Sequence, residues 1–295
     1  MIYLFLSIAT SSSIFLLFRV FKEWGAHTLQ AIVINYLVAA SLGWFLAGGF
    51  TTFQDAWGSA WLTTAIVVGA LFIYLFHLIA KSTQTLGVTV TSIAAKLSMV
   101  IPVAVFLMFD ENDEPALLKM AAIAIAIPAV VLSSWKQEAP GIKRSWAIPL
   151  IIFTGGGIID LMFGWFSGPE HMTRLEFRYL FATIPFTIAF FIGLVWLMLN
   201  RSKKDSAGPS SLKTTIIGGV CLGIVNFGSL YFLLEAYDKL TLDRSAIMPI
   251  TNLGVVLASS LFAVIVFREE LNRSNLLGLA FGALSIGLLL LEGML

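Results

Sequence analysis

Charge is what this chain has least of. Only 12% of its 295 residues are Asp, Glu, Lys or Arg, about half the roughly 25% of an average soluble domain. So few ionic groups could not keep a soluble surface hydrated. Neither sign is in excess, with 18 basic and 17 acidic residues for a net charge of +1, so a nucleic-acid binder has no support. One cysteine, Cys221, excludes an internal disulfide framework and a cysteine metal site. Histidine is down to three residues, and no His/Asp/Glu group has metal-ligand spacing. The chain lacks a phosphate-cradling glycine loop with its lysine, which excludes ATP as a direct driver. It also lacks a Gly-x-Ser-x-Gly or paired-carboxylate arrangement of a membrane hydrolase. Nothing basic precedes Met1-Ile2-Tyr3-Leu4, so no cleavable secretory signal is expected there. Neither a cofactor nor catalysis is expected.

What is present is apolar. Hydrophobic residues make up 58%, including 24 Phe and 8 Trp, and the mean hydropathy is +0.92. A soluble chain of this size has too little interior for that surface, and a disordered one would not carry it. An integral membrane protein remains. A hydrocarbon core about 30 Å thick needs roughly 20 apolar residues per helical crossing. Ten windows qualify: 2–21, 28–48, 60–80, 88–109, 116–134, 146–167, 179–200, 214–235, 245–267 and 276–291. The runs are continuous rather than alternating, which excludes a β-barrel. The links are too short to form an extramembrane domain. The expected fold is all-α, with ten transmembrane helices.

The two halves of the chain match. Thr10-Ser11-Ser12-Ser13-Ile14-Phe15 in the first crossing resembles Thr154-Gly155-Gly156-Gly157-Ile158-Ile159 in the sixth. Asp110 and Lys119 at the end of the fourth crossing match Glu269 and Gly278 at the end of the ninth. Residues 1–135 and 146–295 then form two five-helix repeats. Because five is odd, the second lies inverted relative to the first, as in many secondary transporters with substrate sites near mid-membrane. The odd-numbered links carry twelve Lys and Arg and the even-numbered links five. By the positive-inside rule the odd links are cytoplasmic and both termini outside.

The ends of the halves carry a resemblance. Phe267-Arg268-Glu269-Glu270-Leu271-Asn272, followed by Leu276-Leu277-Gly278-Leu279, is similar to the Gly-Glu-Arg-Leu link and glycine-bearing last helix of the EamA family, in the drug/metabolite transporter superfamily. The first half departs from it, with Phe109-Asp110-Glu111-Asn112 and with Lys119 where glycine is expected. Ile101-Pro102 also sits later in its helix than the family's proline. The resemblance implies a ten-helix carrier of the bacterial inner membrane, commonly a metabolite or amino-acid exporter. Helices one to four and six to nine would line its cavity, with helices five and ten peripheral. It also implies cytoplasmic termini, against the charge count.

Lys96, nine residues into the fourth crossing, is the most informative group. An ammonium at that depth costs several kcal/mol unless paired or hydrated. It is either a binding group for an anionic or zwitterionic metabolite, such as an amino acid or organic acid, or half of a structural ion pair. Asp160 in the sixth crossing is its candidate partner, directly or through water, and a candidate for coupling transport to protons or another ion. His77 is a second coupling candidate, although an interfacial histidine is the blander reading. Asn252 and Asn226 are substrate donors or interhelical glue, and Asn35 reads as glue. Tyr36, Tyr74, Trp165 and Tyr231 could stack on a substrate or could face lipid. Gly155, Gly156 and Gly157 are either a hinge or a close-packing surface. Pro102, Pro128, Pro149, Pro185 and Pro249 are expected kinks, and Pro249, three residues before Asn252, is the one expected to shape a cavity. Glu235 belongs at the interface or in a gate.

The expected function is alternating-access transport, with export favoured, by a monomer or homodimer in a lipid bilayer. The competing class is an intramembrane enzyme or lipid-handling protein. Its polar cluster would be Asp110, Glu111, Asp113 and Glu114. A third possibility is a non-transporting helical subunit.

Overall fold

The computed structural model describes residues 1–49, 53–54, 57–109, 117–133, 147–166, 175–199, 211–240 and 244–292. The acidic link from Asp110 to Glu114 lies outside these residues. The described residues form helices: α1 (Ile2–Glu23), α2 (Thr28–Leu46), α3 (Ala60–Thr85), α4 (Val88–Leu97), α5 (Val100–Phe109), α6 (Leu117–Ser133), α7 (Ala147–Phe166), α8 (Leu175–Leu199), α9 (Leu212–Lys239), α10 (Arg244–Phe267) and α11 (Arg273–Glu292). Eight spans are long and apolar enough to cross a bilayer, with α4 and α5 together making one of them. Two shorter apolar helices, α6 and α7, complete the set. In hydrocarbon every backbone N–H and C=O must find an internal partner, and continuous apolar runs meet that requirement as helices.

Contacts between the helix ends define two faces. On the first, Ser211 N donates to Gly25 O at 3.2 Å, Lys22 Nζ to Gln84 O at 3.2 Å and Val88 N to Glu269 Oε2 at 3.0 Å. On the second, Tyr179 donates to Glu235, Lys239 reaches Tyr3, and Lys119 and Glu292 stand 4.0 Å apart. The first, third and ninth links and the start of α9 thus gather on the first face, opposite the N-terminus.

The helices pack in an ordered series. From α2 and α8, which touch, one row runs α2, α9, α1, α10, α11. The other runs α8, α3, α7, α4 with α5, α6. Contacts of α4 with α10 and of α6 with α11 join the rows. The span of α4 and α5 is the most enclosed of the eight, with 67% of it buried.

That span is also the interrupted one. Proline has no N–H, and its ring clashes with the carbonyl four residues earlier. For Pro102 that carbonyl belongs to Ser98. Ser98 O instead accepts from Ile101 N at 2.9 Å, and Met99 O receives only a long bond from Val103 N at 3.5 Å. The helix therefore stops at Leu97 and restarts at Val100, which places Pro102 in a first turn, where it is tolerated. Among the five prolines expected to kink their helices, only Pro102 interrupts one. Pro128, Pro185 and Pro249 lie inside uninterrupted helices, and Pro149 falls in the first turn of α7.

Glycines set the closest approaches. A Cβ on Gly278 of α11 would strike the backbone N of Ser133 and stand 2.8 Å from Ala129 O of α6. Asn275, one turn earlier, donates to Ser133 O. Gly287 on the same helix has nothing within 4 Å of its added Cβ. We expect Gly278→Leu to destabilise the protein by about 1–3 kcal/mol through forced separation of α6 and α11, and Gly287→Ala to stay within roughly 0.5 kcal/mol. Thermal unfolding in detergent, followed by size-exclusion chromatography, checks both.

Candidate substrate site at the interrupted span

Lys96 occupies the last turn of α4. Eight residues past Val88, at about 1.5 Å per residue, it lies roughly 12 Å along the helix, near the middle of a core about 30 Å thick. The last carbonyls of a helix carry partial negative charge, which favours a cation there. Every residue from Val88 to Ala94 is buried, whereas Ala95 and Lys96 are half-buried. Among the described residues Lys96 makes no hydrogen bond and no salt bridge. The ammonium is deep and, among the described residues, unpaired.

Asp160, on α7, is also half-buried. Its Oδ2 accepts from Ser98 Oγ at 2.8 Å. The same hydroxyl lies 2.7 Å from Ala95 O, and it has one proton to offer the two acceptors. Lys96 and Asp160 interact electrostatically but do not close an ion pair. Of the two forms of the expected Lys96–Asp160 pair, the direct contact is absent: the structure seats Asp160 on Ser98 and leaves a gap between the charges.

The glycine triplet explains how Asp160 gets there. Added Cβ atoms would meet Leu75 Cδ2 at 2.7 Å from Gly155, Ser98 Oγ at 3.0 Å from Gly156, and the Ile101 side chain from Gly157. Gly156 and Asp160 are four residues apart, on one face of α7. A bare backbone at 156 lets that face approach the break closely enough for the carboxylate to reach Ser98. The helix runs unbroken through all three glycines, and in this conformation they form a packing surface. Pro249 likewise leaves α10 uninterrupted.

Asn252 comes to the break from α10. It is buried, and its Nδ2 donates to Met99 Sδ at 3.0 Å. A thioether is a weak acceptor, so the amide is poorly satisfied. Its Oδ1 has no donor among the described residues. Four helices therefore converge on the break: α4 with Lys96, α5 beginning beyond Ser98 and Met99, α7 with Asp160, and α10 with Asn252.

The remaining candidates are elsewhere. Asn226 Nδ2 donates to Asn35 Oδ1 at 3.1 Å, both buried, and binds α9 to α2. Asn226 is therefore structural glue here, like Asn35. Tyr36 is fully buried among Phe76 and Phe186, with its hydroxyl unpartnered. Tyr74 and Trp165 are 48% and 54% exposed; Tyr74 points outward, and Trp165 stacks on Phe106. Tyr231 lies between Tyr179 and Phe227 in a stack with 6.2 Å spacings. His77 packs on Trp196, ring centres 5.1 Å apart. Glu235 accepts from the Tyr179 hydroxyl at 2.9 Å and stands 2.7 Å from Lys239 Nζ. Lys239 also donates to Tyr3 and lies over its ring. Hydrogen bonding to Glu235, then to Tyr3, holds the Lys239 ammonium well above the ordinary lysine value. A raised pKa stabilises below the unfolded value and is lost only as pH rises through the folded one, so this tie persists through neutral pH.

Ser98, Met99 and Glu269 were not among the sequence candidates. Ser98 had a signal, four residues before Pro102. Glu269 stood out only in the link motif, and its contact with Val88 had no signal because it joins positions 181 residues apart.

No family model matches the chain. It is 24% identical over 295 residues to an uncharacterized protein of Haemophilus influenzae, a match spanning 96% of this chain and 95% of that one. A protein of known crystal structure superposes with a TM-score of 0.57 at 13% identity, covering 99% of this chain and 96% of its own. That structural likeness extends end to end and concerns the fold alone. The chain is an all-helical integral membrane protein.

The Asn35–Asn226 pair yields a measurable coupling. Asn35→Ala and Asn226→Ala should each destabilise, and the double variant should cost less than their sum by about 0.6 kcal/mol, with roughly 1.7 as a ceiling. A double-mutant cycle on thermal or denaturant unfolding tests this, and strict additivity would refute the pairing.

Proposed function

We propose that the chain is a secondary-active carrier of the drug/metabolite transporter superfamily, EamA type, moving a small metabolite with a negatively charged group across the bacterial inner membrane, with export the favoured direction. One observation carries the proposal: Lys96, at mid-depth in the most enclosed span, is half-buried and has no hydrogen bond or salt bridge among the described residues. A lysine kept only for stability would be paired, because an uncompensated charge at that depth costs about 2.5–3.5 kcal/mol or more. Carriers use discontinuous helices at mid-membrane for this purpose, since the freed ends hold ions and charged groups.

The packing order supports an inverted repeat. If α4 and α5 count as one crossing, there are ten. Exchanging each crossing with the one five places away then maps the row α2, α9, α1, α10, α11 onto the row α8, α3, α7, α4 with α5, α6. The pairs α2 with α8, α4 with α10 and α6 with α11 map onto themselves. Lys96 is eight residues past Val88, and Asn252 is eight past Arg244, so the site lies where the related spans of the two halves cross. The burial of Val88 to Ala94 and the ties of Gln84 and Glu269 close this conformation toward the first face. Alternating access would expose Lys96 to each face in turn.

The full chain in proteoliposomes, preloaded with unlabelled metabolites and supplied with labelled amino acids and organic acids, tests this by counterflow. Wild type should exchange at least one of them. Lys96→Ala should reduce that exchange about 30-fold or more, the equivalent of the roughly 2 kcal/mol lost on truncating one partner of a buried charged contact. Lys96→Arg should retain part of it. Full exchange by Lys96→Ala would remove the residue from the site, and absence of any exchange would favour a lipid-handling protein.

A further inference from the structure

We infer that the seam between α1, α4 and α10 is the shut half of the carrier's route. In the state open to the first face, Ser12, Ser92 and Ser259 line a water-filled passage between Lys96 and that face. The inference rests on the carrier reading above and assigns its path. Phe15, Val88, Val255 and Ala263 share one buried cluster, against which Ile8 and Ala95 pack, so the three helices meet along a common line. Each brings a serine to that line. Ser12 lies four residues past Ile8 and three before Phe15, and Ser92 four past Val88 and three before Ala95. Ser259 lies four residues from both Val255 and Ala263. Residues three or four apart share a helix face. All three serines are buried, with Ser12 at 3% exposure and the other two at 0%. Ser92 stands one turn from Lys96 and one turn from Val88, which puts it between the site and the first face.

A polar side chain in a membrane seam serves as a tie between helices, because an unsatisfied polar group in hydrocarbon is costly. Other seams of the molecule follow this rule. Asn35 and Asn226 join α2 to α9, Ser82 and Thr91 join α3 to α4, and Ser285 of α11 donates to Ala122 O of α6 at 2.8 Å. The three seam serines tie nothing. Ser92 Oγ folds back on Thr89 O at 3.1 Å and Ser259 Oγ on Val256 O at 3.3 Å, each within its own helix. Ser12 Oγ has no partner among the described residues, although its neighbour Ser13 folds back on Ala9 O at 2.8 Å. Thr89 of α4 and Ser260 of α10 add two more buried hydroxyls without a partner. In the closed state an alanine at Ser12 would pack as well and leave nothing unpaired. The hydroxyl gains a partner only when water enters, so it favours the parted seam over the closed one. The outer end of the seam is held by the bond from Val88 N to Glu269, which the same parting would release.

Cysteine labelling of the full chain in sealed vesicles tests the path without a substrate. In a Cys221→Ser background, Ser12→Cys, Ser92→Cys and Ser259→Cys are each treated with a permanently charged, membrane-impermeant methanethiosulfonate, added to one side at a time. Lys22→Cys, exposed on the first face, marks that side, and Ala126→Cys, equally buried in α6, is the control for fixed packing. The reagent reacts with a thiolate, which forms in water and not in an apolar core. The seam cysteines should label from the first-face side roughly ten-fold faster than Ala126→Cys or more, because only the seam opens short of unfolding. Ser12→Ala provides a second readout. It should hold or raise the melting temperature while slowing counterflow exchange roughly two- to ten-fold, the worth of one hydrogen bond. Seam labelling no faster than Ala126→Cys, in the variants that give monodisperse protein, would overturn the path and leave the carrier standing. Labelling only from the opposite side would do the same, as would a Ser12→Ala protein that exchanges at the wild-type rate. Rapid seam labelling in a protein that exchanges no metabolite would overturn the carrier reading while the opening stood.

Discussion

The structure depends on the missing N–H of Pro102. In a bilayer a freed carbonyl has no water to turn to, so the backbone around Ser98 rearranges, and one span becomes two short helices. The rearrangement does more than satisfy the backbone. It places Ser98 where its hydroxyl can hold Asp160 of α7, ends α4 one residue after Lys96, and leaves Met99 against Asn252 of α10. Three spans meet at a point that an unbroken helix would have filled with apolar side chains. Gly156 is the complementary requirement, since a side chain there would push against Ser98 and hold the carboxylate off.

This arrangement resolves the energetics of two ionisable groups at mid-depth. A direct Lys96–Asp160 pair would have been the simplest way to offset their burial, and broken pairs in low dielectric are costly. The protein instead gives the carboxylate a hydroxyl, sets Lys96 in the last turn of α4, at the negative end of the helix dipole, and leaves both half-buried. Each charge is made tolerable without being consumed. That distinguishes a site from a staple. The contrast within the molecule is instructive, because the Asn35–Asn226 pair is fully buried and mutually satisfied, and joins α2 to α9 as a fixed contact.

The spans were legible in the sequence almost to their ends, because a 30 Å apolar core dictates run length and the turn-forming links interrupt it visibly. Lys96 and Asp160 stood out for the same reason: in a chain with 12% charged residues, an ionisable group inside an apolar run is conspicuous. Their relation to each other was not legible, because helix rise alone cannot say which face of α7 meets α4, and Ser98 intervenes. The aromatic candidates dispersed to lipid or to packed clusters, as a chain with 24 Phe offers no contrast between a ring at a site and a ring in a core. Proline position was visible in five places, but only Pro102 broke its helix. Pro128, Pro185 and Pro249 remain inside helices whose neighbours accommodate the lost bond.

α4 is electrostatically matched at both ends. Its first N–H groups, at the positive end of the helix dipole, face the Glu269 carboxylate, which accepts from Val88 N at 3.0 Å. Gly87, at a φ of +111°, adopts a left-handed turn in which any side chain would collide with that carboxylate. At the other end Lys96 complements the negative pole. Glu269 belongs to the link between α10 and α11, so the helix carrying the free ammonium is anchored by a residue from the other half of the chain. Thr91 adds a hydroxyl contact to Ser82 of α3 at 2.8 Å. Any movement that opened the site toward the first face would have to withdraw α4 from Glu269 and break the bond from Val88 N. The closure on that side is thus held by charge and hydrogen bonding as well as by the packing of Phe15, Val88, Val255 and Ala263. Polar ties of this kind can be replaced by water once they are exposed, whereas an apolar seal alone offers an opening state nothing in return.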